Sequence, residues 1–460
     1  MGISGEAANK RGSLNRDWTK GSILGNLFSL VWPMSLSTSI NTLGPTIDMI
    51  WVGRLGAAAI AGVGIAGMLV MLVDSLKMGL DTGLRAVIAR SVGTGDIRTA
   101  NHAGQQSFVV SVAYSVVIAV IGIFLARPTL IAFGLQPDVV DEAAAYMRIM
   151  FVGRVTMNMW MTCSTVMQAS GDAITPLKIS VALRLFHMVL SPFLIFGWWL
   201  FPRLGVSGAA LTNIFSQGIG AIFGLWVLFT GSTRLRLNLR NFRFDPDMIW
   251  RLVKIGIPAS ISSVERSIGS TVIVWLTVPF GTVAVASNTV CDRVDMVLSV
   301  PPGATGSAAG VLAGQNLGAK QPERAARTVW LAAAMGEGLM AALSLVLLVS
   351  PQSVARIFGS DPEFIKVAST FLMIMVPYFL VEGLRMVFNQ SLNSVGDTML
   401  PMLAALSTRW LVYVPLALIL SRFTNLGVFG IRWGMVINSA VHAIALMAYF
   451  SMGRWKQKRV

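Results

Sequence analysis

The sequence predicts an all-α integral membrane protein, with twelve transmembrane helices in two six-helix lobes related by a pseudo-twofold axis along the membrane normal. Two observations carry this prediction: the apolar composition of the chain and an internal repeat. Of the 460 residues, 54% are hydrophobic and only 12% are charged, with a mean hydropathy of +0.69. Soluble domains carry about 25% charged residues, so we expect this chain to reside in a lipid bilayer.

Apolar runs close to the roughly 20 residues that cross a bilayer recur along the whole chain. They divide it into a tail (1–21), an N-lobe (22–230), a basic loop (231–254), a C-lobe (255–450) and a second tail (451–460). The predicted spans are 24–50, 57–84, 105–126, 143–165, 178–200, 208–230, 255–277, 283–311, 328–350, 364–390, 402–421 and 428–450.

The repeat fixes how these spans are organised. Residues 33–176 match residues 258–401 at a constant offset (258 − 33 = 225), and Arg184 pairs with Arg409 at the same offset. Farther along, the offset slips slightly (427 − 205 = 222). Each copy is therefore one architectural unit. Six spans is an even number, so both copies insert in the same orientation and their axis lies along the membrane normal.

The net charge of +15 is concentrated in the two tails and in the loop 231–254. The loops predicted on the opposite side, such as 128–138, are nearly free of basic residues. Lys and Arg accumulate in cytoplasmic loops, so we expect a multi-pass protein of the plasma or inner membrane with both termini cytoplasmic. The same distribution speaks against a nucleic-acid partner.

The sequence does not indicate an enzyme. His102, His187 and His442 are scattered, whereas an intramembrane enzyme would need clustered ligands. Cys163 and Cys291 do not match in the repeat, so neither a disulfide nor a metal site is predicted. No GxxxxGK[ST] motif occurs, so transport would be driven by an ion gradient or run downhill, without a nucleotide cofactor.

Short motifs carry a family resemblance. They are DMIWVGRLG (48–56), VGTGD (92–96) and QASGD (168–172) in the first copy, and AGQNLGA (313–319) and LNSVGDT (392–398) in the second. Together they resemble the multidrug and toxic compound extrusion (MATE) family of cation-coupled antiporters, over roughly residues 21–453. The resemblance implies a small-molecule exporter that exchanges an amphipathic substrate for H⁺ or Na⁺ by alternating access. We expect it to act as a monomer.

Asp48 is the first candidate for cation coupling. It follows Pro45 by three residues, and the proline ring removes a helical hydrogen bond that would otherwise engage the carbonyl of Asn41. A carboxylate beside such a hinge can hold a proton or a small cation. The resemblance also assigns Asp48 to the coupling machinery. The alternative is an interfacial aspartate that is simply hydrated.

In the fifth span the chain departs from the family pattern. The family places an acid directly before Pro-x-Leu-Ile-Phe-Gly, where this chain has Ser191. His187 lies one turn earlier on the same face and could supply a titratable group instead. The alternative is that His187 is a packing residue.

Glu265 and Glu382 are the acids of the second copy in the places where the family tends to have them. Arg385 follows Glu382 by three residues and Arg266 adjoins Glu265, so Glu382 in particular could be neutralised locally. Coupling and structural roles remain equally open. Neither has an acidic counterpart in the first copy, which suggests different tasks for the two lobes.

The second span carries a charged stripe formed by Asp74, Lys77, Asp81 and Arg85. The four positions fall within an arc of about 80° along roughly 16 Å of helix. Lipid contact along that face is excluded by its charge. One interpretation is a self-neutralised ladder buried against other helices and lining a cavity, and the other is a proton or substrate relay.

Arg184 and Arg409 support an alternative function. Two intramembrane arginines at matching places would suit a flippase or exporter of a lipid-linked or anionic solute. The opposing interpretation is that both snorkel toward the cytoplasm.

Overall fold

The computed structural model describes residues 16–132, 137–199, 201–238 and 242–458, without the side chains of residues 43–47, 57, 58, 61 and 137–139. Helices account for nearly all of these residues, and no strand occurs among them. The first copy contains α1 (Ile23–Gly53), α2 (Ala57–Thr94), α3 (Ile97–Ala132), α4 (Pro137–Val152), α5 (Arg154–Ser170), α6 (Ile174–Phe196) and α7 (Gly205–Thr230). The second contains α8 (Pro246–Thr277), α9 (Thr282–Leu298), α10 (Val300–Gly318), α11 (Pro322–Val349), the short α12 (Pro351–Arg356), α13 (Pro362–Ser394), α14 (Met399–Ser407), a π-helical turn (Thr408–Tyr413), α15 (Val414–Arg422) and α16 (Val428–Ser451).

Ten stretches of the described helices are long and apolar enough to cross a membrane. They match ten of the twelve predicted spans. The predicted fourth span is divided at Gly153 into α4 and α5. The predicted seventh span lies in α8, whose middle reads SSVERS and is too polar to qualify by hydropathy. Both are helical, so six helical crossings per copy remain consistent with the structure.

The backbone contacts divide the chain into two compact units. The first unit contains Leu36–Lys254, and the second contains Trp18–Ser35 together with the chain from Ile255 onward. The start of α1 therefore belongs to the second unit, and the basic loop belongs to the first. Because α8 begins at Pro246, the last nine residues of the predicted loop are helical.

Each unit has its own apolar core. In the first unit the core joins α1, α2, α4, α6 and α7 through Val52, Ala66, Phe151, Ile195 and Ala210. In the second, α13 packs against α10, α11 and α16, and the core includes Met340, Phe371, Met375 and Phe379. Burial of these side chains stabilises each copy as a separate packing unit.

The basic loop is anchored to the first unit by hydrogen bonds. His102 Nε2 lies 2.8 Å from Asp245 Oδ2, and the Gln106 amide donates to the carbonyl of Arg243 at 2.6 Å. Asp245 also caps α8 by accepting a hydrogen bond from the backbone amide of Met248, and that bond lowers the pKa of its carboxyl group. These contacts explain why the loop folds with the first copy.

The motif glycines end helices by adopting the left-handed conformation. Gly95 (φ 79°), Gly171 (φ 101°) and Gly396 (φ 92°) do so, as expected for glycine after a helix C-terminus. Gly318 differs because it lies inside the last turn of α10. The left-handed position there is taken by Lys320 (φ 58°), the residue that matches Gly95 in the repeat (320 − 225 = 95).

A close helix approach recurs in both copies. A Cβ atom on Gly208 would lie 2.4 Å from the carbonyl oxygen of Leu194, and one on Gly430 would lie 2.5 Å from the carbonyl carbon of Leu420. Gly208 and Gly430 match at the later offset of the repeat (430 − 208 = 222). The obstacle is backbone in both cases, so it cannot move aside as a flexible side chain would.

We therefore expect Gly208→Ala and Gly430→Ala each to lower the free energy of unfolding by about 1–3 kcal/mol through overpacking. Gly338→Ala in α11 is the matched control, since a Cβ there meets no atom within 4 Å. That variant should be as stable as the wild type, or slightly more stable, because alanine favours helix. Thermal unfolding in detergent would measure all three. Equal midpoints for Gly208→Ala and Gly338→Ala would contradict the packing argument.

Candidate functional site

Asp48 of α1 lies against two residues of α6. His187 Nε2 is 2.7 Å from Asp48 Oδ1, and the Ser191 hydroxyl donates to the same oxygen at 3.5 Å. Asp48 is 6% exposed and His187 is 2% exposed. His187 and Ser191 meet the carboxylate together because they are four residues apart on one helical face. The structure thus gathers three of the sequence candidates into one buried cluster.

The second copy has no such polar cluster at the matching place. Asp48 is matched by Ile273 (273 − 48 = 225). Ile273 packs in an apolar cluster with Tyr413 and Ala417 of the same unit. The Asp48 cluster is therefore a specialisation of the first copy, not part of the shared scaffold.

The carbonyl oxygen of Asn41 is already engaged. Arg184 Nη2 donates a hydrogen bond to it at 3.2 Å, so a guanidinium occupies the position that the sequence interpretation offered to a cation. Pro45 lies within α1, in the stretch 43–47 whose side chains are outside the described residues. The hinge prediction for Pro45 therefore stays a prediction.

The stripe on α2 contains one internal ion pair. Lys77 and Asp81 pair one turn apart, and both side chains are buried. Lys77 Nζ also donates to Thr162 Oγ1 at 3.2 Å, and Thr162 Oγ1 lies 2.7 Å from Ser111 Oγ. The pair is thereby linked to α5 and α3.

Asp74 and Arg85, at the two ends of the stripe, do not take part in the ion pair within α2. Asp74 pairs with Arg154, the first residue of α5, and not with a neighbour on α2. Among the described residues, Arg85 Nε and Asp81 Oδ2 are buried without a hydrogen-bond partner. A complete i,i+4 ladder is therefore not formed.

In the second unit, both candidate glutamates are held by arginines. Arg409 Nε donates to Glu265 Oε1 at 2.7 Å, so the partner of Glu265 is Arg409 and not the adjoining Arg266. Glu382 receives two hydrogen bonds from Arg385, one of them at 2.7 Å. The Ser439 hydroxyl adds a third to Glu382, at 2.8 Å.

Arg409 reaches Glu265 because of two local features. It lies on the π-helical turn Thr408–Tyr413, and its guanidinium passes over Gly269 of α8. A Cβ on Gly269 would lie 2.7 Å from Arg409 Cζ, so only glycine leaves the space. π-Helical turns inside α-helices are frequent at functional sites. Arg409 and Arg184 thus both contact the first helix of their own copy.

The sequence interpretation missed several intramembrane charges. Arg154 is fully buried beside Asp74. Arg432 is also buried, and its Nη2 donates to Asn288 Oδ1 at 2.6 Å and to Asp292 Oδ1 at 3.3 Å. Glu337 of α11 has a buried Oε2 without a partner among the described residues. Each was detectable as a charged residue inside a predicted span.

Removing one member of a buried pair should destabilise the fold strongly. Asp74→Asn leaves the guanidinium of Arg154 without its counterion, and we expect a loss of about 3–5 kcal/mol in the free energy of unfolding. Asp74→Asn combined with Arg154→Met should recover most of that loss. Asp141→Asn is the control, because it breaks an exposed pair with Arg127 and should cost about 1 kcal/mol or less. Unfolding curves in detergent that superimpose for Asp74→Asn and Asp141→Asn would refute this assignment.

Comparison with known proteins agrees with this architecture. The MatE family profile matches residues 33–193 and 258–419. The chain is 24% identical over 448 residues to the probable multidrug resistance protein YoeA of Bacillus subtilis, covering 96% of each. It is 23% identical over 402 residues to a FAD transporter of Shewanella oneidensis, covering 86% of this chain and 88% of that one.

A solved structure extends the likeness to the fold. The outward-facing conformation of a multidrug resistance MATE family transporter of the MOP superfamily superimposes with a TM-score of 0.88 at 23% identity, covering 95% of this chain and 96% of that one. The predicted all-α fold with two six-helix lobes is confirmed. Because the two profile matches together span more than half of the sequence, the chain belongs to the MatE family of membrane transporters.

Proposed function

We propose that this transporter is a secondary antiporter that exports amphipathic organic compounds in exchange for H⁺ or Na⁺ by alternating access. It would act as a monomer in the plasma or inner membrane, with both termini cytoplasmic. The observation that carries the proposal is the buried hydrogen bond between Asp48 and His187. Relatives named as multidrug resistance proteins support the class of substrate.

The Asp48–His187 pair joins two side chains that can each carry a proton. A carboxylate inside a span is expensive unless it is paired, and imidazole is the side chain that titrates nearest to neutral pH. When Asp48 is ionised and His187 protonated, the two charges cancel. A proton delivered to Asp48 leaves the imidazolium without a counterion, which favours separation of α1 from α6. Pro45, one turn before Asp48, would let α1 bend at that point.

The geometry favours H⁺ over Na⁺ as the coupling ion. His187 occupies one oxygen of Asp48 at 2.7 Å, and a sodium ion bound there would have to displace it. Sodium prefers several oxygen ligands, whereas the cluster offers mainly Asp48 and Ser191. In the second unit Glu265 and Glu382 are engaged by Arg409 and Arg385, so we propose that they position these arginines instead of taking up the cation.

The experiment is uphill transport in proteoliposomes, with a proton gradient and a sodium gradient imposed separately. We expect wild-type protein to accumulate a planar cationic dye against its gradient when ΔpH is applied. Asp48→Asn should abolish that accumulation because it removes the charge with little change in shape. Glu142→Gln is the control, since it neutralises an exposed acid of the same unit.

The His187→Gln variant tests the role of His187 as the hydrogen-bond partner of Asp48. Glutamine can still donate a hydrogen bond to Asp48 but cannot carry a proton, so uphill export driven by ΔpH should weaken. Undiminished uphill export by the Asp48→Asn variant would contradict a role for Asp48 in coupling. Accumulation driven by the sodium gradient alone would reassign the coupling ion.

Export of a lipid-linked or anionic solute is the second candidate on the same architecture. It is favoured by the arginines of the second unit and by the relative named as a FAD transporter, since FAD is the name of a phosphate-bearing compound. The dye experiment separates the two, because a cationic dye should then be moved poorly under either gradient.

A further inference from the structure

Arg266 is an exposed charge at mid-depth in a membrane helix. It precedes Thr277, the last residue of α8, by eleven positions (277 − 266 = 11), which is about 16 Å along the helix axis and half of the hydrocarbon thickness. Its side chain is exposed, whereas its neighbour Glu265 is buried. A guanidinium at this depth facing lipid would be very costly. Arg266 therefore faces a path that is open to water.

Arg266 has no direct counterion. Within the described part of the chain it makes no hydrogen bond and no ion pair. The two acids near it are already satisfied, Glu265 by Arg409 and Glu382 by Arg385 and Ser439. The hydrogen bonds of both acids thus go to residues other than Arg266.

Arg266 belongs to a group of charges that also contains Glu265, Glu382, Arg385 and Arg409. Asp295 of α9 interacts with Glu382 and Arg385 of the same group. A planar guanidinium presents paired N–H donors that match the two oxygens of a carboxylate or a phosphate. An accessible guanidinium with free donors is a receptor for an acidic group.

The other copy lacks this feature. Arg266 is matched by Asn41 (266 − 225 = 41), a neutral residue whose carbonyl accepts the hydrogen bond from Arg184. In the second copy the equivalent arginine, Arg409, bonds to Glu265 instead. If Arg409 did not hold Glu265, that carboxylate would be free to attract Arg266.

We propose that Arg266 binds an acidic group, a carboxylate or a phosphate, on the compound that the transporter carries. The inference rests on the proposed function, and among the amphipathic compounds that this function covers it predicts tighter binding of those that bear an acid. A soluble organic acid and an acidic lipid headgroup share this chemistry.

The test is equilibrium binding to the full-length protein in nanodiscs, read by fluorescence anisotropy. The probes are a rhodamine methyl ester, which is a cation, and the corresponding free acid, which has the same rings and adds a carboxylate. Wild-type protein should bind the free acid roughly tenfold more tightly than the ester, as expected for one charge-assisted contact. Arg266→Gln should abolish the preference and Arg266→Lys should keep part of it. Arg422→Gln, which removes an exposed arginine at the end of α15, should leave it intact.

Two lipid compositions separate the sources of the acid. Equal affinity for the free acid in phosphatidylcholine discs with and without phosphatidylglycerol indicates a soluble acid, and weaker affinity with phosphatidylglycerol indicates an acidic lipid. Equal affinity of wild-type protein for both probes would overturn the proposal, and so would an Arg266→Gln variant that binds the acid like wild type. If Arg266→Gln does not fold, the wild-type preference and Arg266→Lys decide. Binding needs no gradient, so a failure of cation coupling at Asp48 leaves this result unaffected.

Discussion

A charged side chain in the hydrocarbon of a bilayer must find a partner or reach water, and much of this protein is arranged around that requirement. Most of the partners lie on another helix. Asp48 of α1 meets His187 of α6, Asp74 of α2 meets Arg154 of α5, and Glu265 of α8 meets Arg409 beyond α14. Each pair therefore fixes which helices are neighbours as well as neutralising a charge. Hydrophobic packing alone would specify the neighbouring helices less well, because lipid tails are as apolar as the core residues.

The repeat preserves this framework but changes the chemistry placed on it. Arg184 and Arg409 occupy matched positions, and each reaches the first helix of its own copy, one to the carbonyl of Asn41 and the other to the carboxylate of Glu265. The close glycine approaches at Gly208 and Gly430 are also common to both copies. The two copies differ in the side chains placed on this common backbone. The first copy carries the cluster of Asp48, His187 and Ser191, and the second carries a cluster rich in arginine.

The parts of this structure that could be predicted from sequence are those that depend on nearby residues. Hydropathy and helical spacing predict the positions of the spans and the i,i+4 pair on α2. The repeat and the glycine turns at Gly95 and Gly396 can be recognised from the residue types alone. The partners of Asp74 and Glu265 could not be predicted this way. Helical periodicity shows which residues share a face but not which helix covers that face. Arg409, 144 positions away, is the partner of Glu265 in the folded chain.

The nature of the basic partner separates the two units functionally. Arginine stays protonated at any physiological pH, so a carboxylate paired with Arg385 or Arg409 keeps the same counterion whatever the proton gradient does. Histidine does not, and the Asp48–His187 contact is a carboxylate–imidazole pair within the membrane. In the antiport proposed above, a proton gradient would act on the Asp48–His187 pair while Arg385 and Arg409 keep their charge. Recognition of an acidic group and response to protons would then be independent at the level of the residues and linked only through the conformational change of the transporter.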